Sequence, residues 1–185
     1  MRIFAFVVFA LFLGASPASA WREYLYLDQG VAIQFPAAPK AMKSIYNSTL
    51  AKGLASTTYS AEDDNVVYKL TVIDLTNRPD AGANFLNEAA YGLMREGDVL
   101  FTDFPRVYQD VKAIYGVTLV VDRMDGSRVR SSLYYNKGKL YMAAARNREP
   151  RWPVPYKGGR TAPLPSPQPR LEQTFWPFAS LTLMS

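Results

Sequence analysis

An α+β fold, with a central antiparallel β-sheet, one main helix and a short C-terminal helical segment, is predicted by three features of the chain. Period-two apolar patterning recurs between Arg22 and Ala145, tight-turn residues separate those runs, and one stretch from about Asp80 to Glu96 repeats at helical spacing instead. Successive strands joined by tight turns pair antiparallel, and a lone amphipathic helix must lay its apolar stripe on a sheet face.

The elements follow in order. Arg22 to Leu27 alternates Tyr24 and Tyr26 with Leu25 and Leu27, and Asp28-Gln29-Gly30 turns the chain into Val31 to Phe35, which Pro36 and Pro39 end. Gly53 to Ser60 reads as a third strand and Glu62 to Asn65 as a turn. Val66 to Leu75 is the strongest strand, with Val66, Tyr68, Leu70 and Val72 on one face. Pro79 and Asp80 open the helix, with Asp80 placed to cap its first amides. Phe85, Leu86, Ala89, Ala90, Leu93 and Met94 form its apolar stripe, and Gly97 is a natural stop. Val99 to Tyr108 contains Pro105, which predicts an edge or broken strand. Val117 to Val121, Arg128 to Tyr135 and Lys139 to Ala145 then form a meander through the turns at Asp125-Gly126 and Asn136-Lys137-Gly138.

Composition changes at Pro150. Seven of the 13 prolines fall between 150 and 169, so no helix or ladder strand is expected to persist there. From Lys139 to Arg170 seven positive residues face one negative, Glu149, a local net of +6. This basic arm, with Trp152 and Tyr156 between its charges, is the predicted binding surface: Arg146, Arg148, Arg151, Trp152, Tyr156, Lys157 and Arg160. An inert, solvated loop is the competing interpretation. Leu171 to Leu183 turns apolar again and is expected to begin with a helical turn near Arg170 and then dock back on the domain.

Residues 1–20 read as a signal peptide: Arg2 precedes an apolar run from Ile3 to Ala15, and Ala18-Ser19-Ala20 matches a small-residue cleavage site. The run is shorter than the ~20 residues that span a bilayer, so no transmembrane segment is expected after signal removal. Removing 20 of 185 residues leaves 165, one domain (21–185), and removing Arg2 lowers the net charge from +5 to +4. Export, into the bacterial periplasm, is the expectation.

The chain has no cysteine and no histidine. Disulfides, thiolate chemistry, zinc ribbons and Ser-His-Asp triads are excluded. An acid/base pair of carboxylates remains, with Asp74, Asp103, Asp110, Asp122 and Asp125 as candidates for an envelope hydrolase. Asp122 and Asp125 read more simply as turn residues of the hairpin, and Asp74 as a strand-end residue that caps the following loop. Glu62-Asp63-Asp64 lacks the ligand spacing of a calcium loop, and no phosphate loop is present. No metal and no cofactor are expected. Nucleic acid is not an expected partner, because no reader motif is present and export takes the chain away from it.

Trp21-Arg22-Glu23-Tyr24, the run Gly30 to Lys40 with its G-x-x-I-x-F-P-x-x-P pattern, Tyr68 to Leu75, Leu133-Tyr134-Tyr135 with Leu140-Tyr141, and Phe178 to Leu181 together resemble a set of small exported proteobacterial proteins with no assigned function. More loosely, the chain is similar to the PsbP-type extrinsic proteins. That resemblance implies an α/β/α sandwich that acts by binding rather than catalysis, and it supplies no catalytic residues. The expected function is therefore a non-catalytic, periplasmic binding or accessory module that contacts an anionic envelope component or a protein partner through the basic arm. A carboxylate-based hydrolase and a structural module without a ligand are the alternatives.

Overall fold

A computed structural model describes residues 21–109, 112–148 and 181–184. Eleven strands are assigned among them: β1 (Arg22–Tyr26), β2 (Val31–Phe35), β3 (Lys40–Tyr46), β4 (Leu54–Asp63), β5 (Val66–Asp74), β6 (Gly97–Asp103), β7 (Arg106–Gln109), β8 (Lys112–Arg123), β9 (Arg128–Asn136), β10 (Lys139–Asn147) and β11 (Leu181–Leu183). A 3-10 turn at Pro79–Ala81 leads into helix α1 (Gly82–Met94).

The large sheet runs β3-β4-β5-β10-β9-β8-β6, with β7 also pairing β8, and every pairing is antiparallel. A second sheet has the order β1-β2-β11. The turns behave as their residues dictate. Lys137 and Gly138 both take positive φ, the two-residue loop that matches strand twist, and Gly126 takes φ 82° after Asp125. Pro105 breaks the edge into β6 and β7, and its carbonyl accepts the Gly116 N–H at 2.9 Å.

Both faces of the large sheet are covered. On one, Val31, Ile33, Phe35 and Leu183 of the small sheet meet Tyr59, Leu70, Val72 and Tyr141. On the other, Phe85, Leu86, Ala89 and Ala90 of α1 meet Ile73, Leu119, Leu133 and Leu140. Successive side chains along a strand point to opposite faces, so Val72 serves one core and Ile73 the other. Ring pairs fasten the small sheet: Tyr26 stacks on Tyr59 at 3.9 Å between centroids, and Trp21 meets Tyr68 edge-on at 4.9 Å. The Tyr141 hydroxyl donates to the Gln29 carbonyl at 2.8 Å.

Several expectations are corrected. Strands hold 62% of the described residues and helices 12%, so the fold is mostly β rather than α+β. The outer layers are a sheet and a helix, not the two helical layers of an α/β/α sandwich. The C-terminal element is strand β11, paired with β2, and not a helical segment. Residues 1–20 and 149–180, which include the signal peptide and most of the basic arm, lie outside the described residues. The helix carries no side-chain cap, so Asp80 does not play the predicted part.

Gly97 does not stop the helix, which ends at Met94, but opens β6 opposite Arg123. A Cβ there would collide with the Asp122 carbonyl and Arg123 Cα. Backbone atoms cannot rotate away, so Gly97→Ala is expected to lift the start of β6 off β8 at a cost of about 2 kcal/mol. Urea unfolding should show a lower midpoint, with faster amide exchange along β6 than along β10; an unchanged midpoint and exchange pattern would contradict the close approach.

Candidate functional site

Two predicted binding residues, Arg146 and Arg148, are placed at the end of β10. The Arg146 guanidinium donates to Asp125 Oδ2 at 2.5 Å and to Ser127 Oγ at 3.1 Å. Arg148 Nη2 donates to Glu62 Oε1 at 2.8 Å, and its backbone N–H to the Asn65 carbonyl at 3.0 Å. These exposed ion pairs are solvent-screened and weak, but they commit both arginines to the β4–β5 and β8–β9 turns. Arg151, Trp152, Tyr156, Lys157 and Arg160 lie outside the described residues.

The candidate carboxylates are also engaged. Asp74 Oδ1 accepts from the Thr76 hydroxyl at 2.6 Å and the Thr76 N–H at 2.9 Å, and these bonds hold its pKa below the usual carboxylate value. Asp74 lines a recess of about 350 Å³ with Leu54, Asn77 and Arg78. Asp125 accepts from the Ser127 hydroxyl and N–H in the same way; those bonds, and then the Arg146 and Arg123 charges, lower its pKa. Asp122 takes a two-pronged bond from Arg128 at 2.6 and 2.8 Å. Asp103 accepts from the Phe104 N–H at 2.9 Å, and Asp110 lies outside the described residues. No group of three or more metal-ligating side chains is present among the described residues.

Exposed rings and apolar side chains gather elsewhere, along β6, β7 and the start of β8. Residues 112–115 of β8 pair only with β7, because β9 joins the ladder at Gly116. On one face of this hairpin Val107 and Ile114 stand opposite each other and enter the core between the sheets. On the other face Arg106 stands opposite Tyr115 and Tyr108 opposite Ala113. Tyr108 is 69% exposed and Tyr115 58%, and the Arg106 guanidinium lies 5.3 Å from the Tyr115 ring centroid. Tyr108 and Tyr115 are diagonal neighbours, a relation that places residues about 7–8 Å apart. Phe104, 68% exposed, sits at the break before the hairpin.

Apolar alternation alone does not single out this surface. The available signal was an edge strand marked by Pro105 yet loaded with Val99, Leu100, Phe101 and Phe104, where edges are normally blunted by charge. Among the described residues no helix is long and apolar enough to cross a membrane.

No family model and no curated protein matches the chain. Among solved structures it is similar to cyanobacterial PsbP (CyanoP) from Synechocystis sp. PCC 6803, at 16% identity and a TM-score of 0.42, over 75% of this chain and 86% of that one.

Proposed function

We propose that the chain is a non-catalytic, exported accessory protein that binds a protein partner through the ring-bearing face of the β7–β8 hairpin. The observation that carries this reading is the exposed Arg106, Tyr108 and Tyr115 set on a hairpin whose other face is anchored in the core. Tyrosine and arginine dominate the binding energy of protein interfaces, and anchored rings lose little conformational entropy on docking. The carboxylate-hydrolase alternative is weakened by Asp74, Asp122 and Asp125, each already spent on a turn or an ion pair. Export to the periplasm rests on the signal-like residues 1–20. A second reading, contact of the basic arm with an anionic envelope component, is favoured by its local charge alone.

Capture of partners from the exported fraction tests both. Tyr108→Ser combined with Tyr115→Ser is expected to weaken retention of the captured protein at least tenfold while leaving the melting temperature within a few degrees. Undiminished retention would sink the hairpin reading. Deletion of residues 150–169, assayed on anionic vesicles and cell-wall sacculi in low salt, decides the arm: unchanged binding removes it.

A further inference from the structure

We propose that the recess at the open end of β4 and β5 binds a small zwitterion of the α-amino-acid class, with the ligand's ammonium on Asp74 and its carboxylate on Arg78. The recess exists because the two strands part there. Their ladder runs from Asp63↔Val66 to Ser56↔Ile73 and stops short of Ala55 and Asp74, the residues next in line. Past that point the chain of β5 follows β10 instead: Asp74 pairs with Lys139, and the Leu75 N–H donates to the Gly138 carbonyl at 2.7 Å. On the opposite lip Gly53 turns the chain at φ 75°, and its N–H donates to Asn47 Oδ1 at 2.8 Å. Between the lips lies a volume of about 350 Å³, at the small end of ligand cavities, which begin at roughly 300 Å³.

Charge decides the class of ligand. Thr76 occupies Asp74 Oδ1 and so fixes the carboxylate, while Oδ2 has no hydrogen-bond partner. The same bonds favour the ionised form, so a group unsuited to proton transfer is suited to holding a cation. Lys139, whose charge also acts on Asp74, gives its ammonium to the Asp28 carbonyl at 2.6 Å and not to the carboxylate. Asn77 and Arg78 share the lining, and neither side chain has a partner among the described residues. Asp74 and Arg78 do not pair with each other. One recess thus presents an unspent cation and an unspent carboxylate oxygen. A simple anion would be repelled by Asp74 and a simple cation by Arg78, whereas a ligand carrying both charges can meet each with its opposite. The guanidinium fork also matches a carboxylate in a two-pronged way. Half-buried Leu54 and Ala55 complete the lining, which leaves room for a short aliphatic group.

L-valine and its two halves test this directly: isovalerate lacks the ammonium, and isobutylamine lacks the carboxylate. Titration followed by amide NMR is expected to give saturable shifts at Ala55, Asn77 and Arg78 with valine, at a dissociation constant of about 1 mM, and at least tenfold weaker binding of either half. Arg78→Gln and Asp74→Asn should each weaken valine binding at least tenfold. Both positions are exposed, and the asparagine keeps an oxygen for Thr76, so the remaining amide signals should stay in place. Absence of saturable shifts with about 50 mM valine overturns the proposal. So does binding of isovalerate or isobutylamine as tight as that of valine, or undiminished binding by either variant. The Tyr108→Ser and Tyr115→Ser pair should bind valine as the wild type does, so this result and partner capture fail independently.

Discussion

Phe35→Ala is expected to lower the unfolding free energy by about 3–5 kcal/mol, the range for a fully buried ring. Phe35 is sealed from solvent in the core between the two sheets, edge-on to Tyr24 at 6.1 Å, with Val31 and Ile33 equally buried on the same strand. The cost should be spatially uneven. β2 is the middle strand of the small sheet, and β1 and β11 reach each other only through it. Hydrogen exchange in the variant should therefore accelerate at Tyr24 and Leu183 well before it does at Leu133, which belongs to the α1 side of the large sheet. Uniform acceleration at all three would show that the two cores unfold as one unit.

Alkaline pH is expected to act on the same layer. Burial pushes the Tyr141 hydroxyl up to about 12, and burial together with the neighbouring Tyr59 and Tyr24 does the same to Tyr26. An unfolded tyrosine titrates near ~10, so the folded state favours the neutral phenol. That stabilisation is complete below pH ~10 and is lost as pH rises from there through about 12. For Tyr141 alone it amounts to about 2–3 kcal/mol, because the side chain is almost fully enclosed; Tyr26, partly exposed, adds less. Tyr141→Phe should lose about 1 kcal/mol at neutral pH with the bond to Gln29, yet fall less steeply between pH 10 and 12. Every other ionisable group is common to the two proteins, so the difference between the two curves isolates Tyr141. Parallel curves would contradict the assignment.

The segments legible in the sequence are those where local pattern and burial agree. β2, β5, β9 and β10 fall within two residues of their expected bounds, because each has apolar side chains facing a core and a turn residue at its end. β3 escapes for the opposite reason. Lys40 to Ile45 is exposed throughout, so no face is apolar, and its pairing with β4 supplies the order that its sequence does not advertise. The separation into two sheets is equally silent. β2 and β5 look alike as strings, and which sheet each joins is decided by partners far along the chain. For the candidate surface, Val107 and Ile114 had to be placed in the core before Tyr108 and Tyr115 could be recognised as outward. The arginines at the root of the basic arm illustrate the converse, since charge density did not reveal that Arg146 and Arg148 are already paired.

The pairing of β11 with β2 joins Leu183 to Val31 across about 150 residues of chain. Contacts of such long range are entropically the last to form, so the hairpin, the meander and the helix can assemble before this layer closes. Until Leu183 is available, β2 has a bare edge and Phe35 and Leu70 share a core without one of its walls. A chain emerging from its amino end thus carries a half-covered apolar sheet for most of its emergence, which makes that interval, rather than the finished fold, the period when a holding chaperone would matter most.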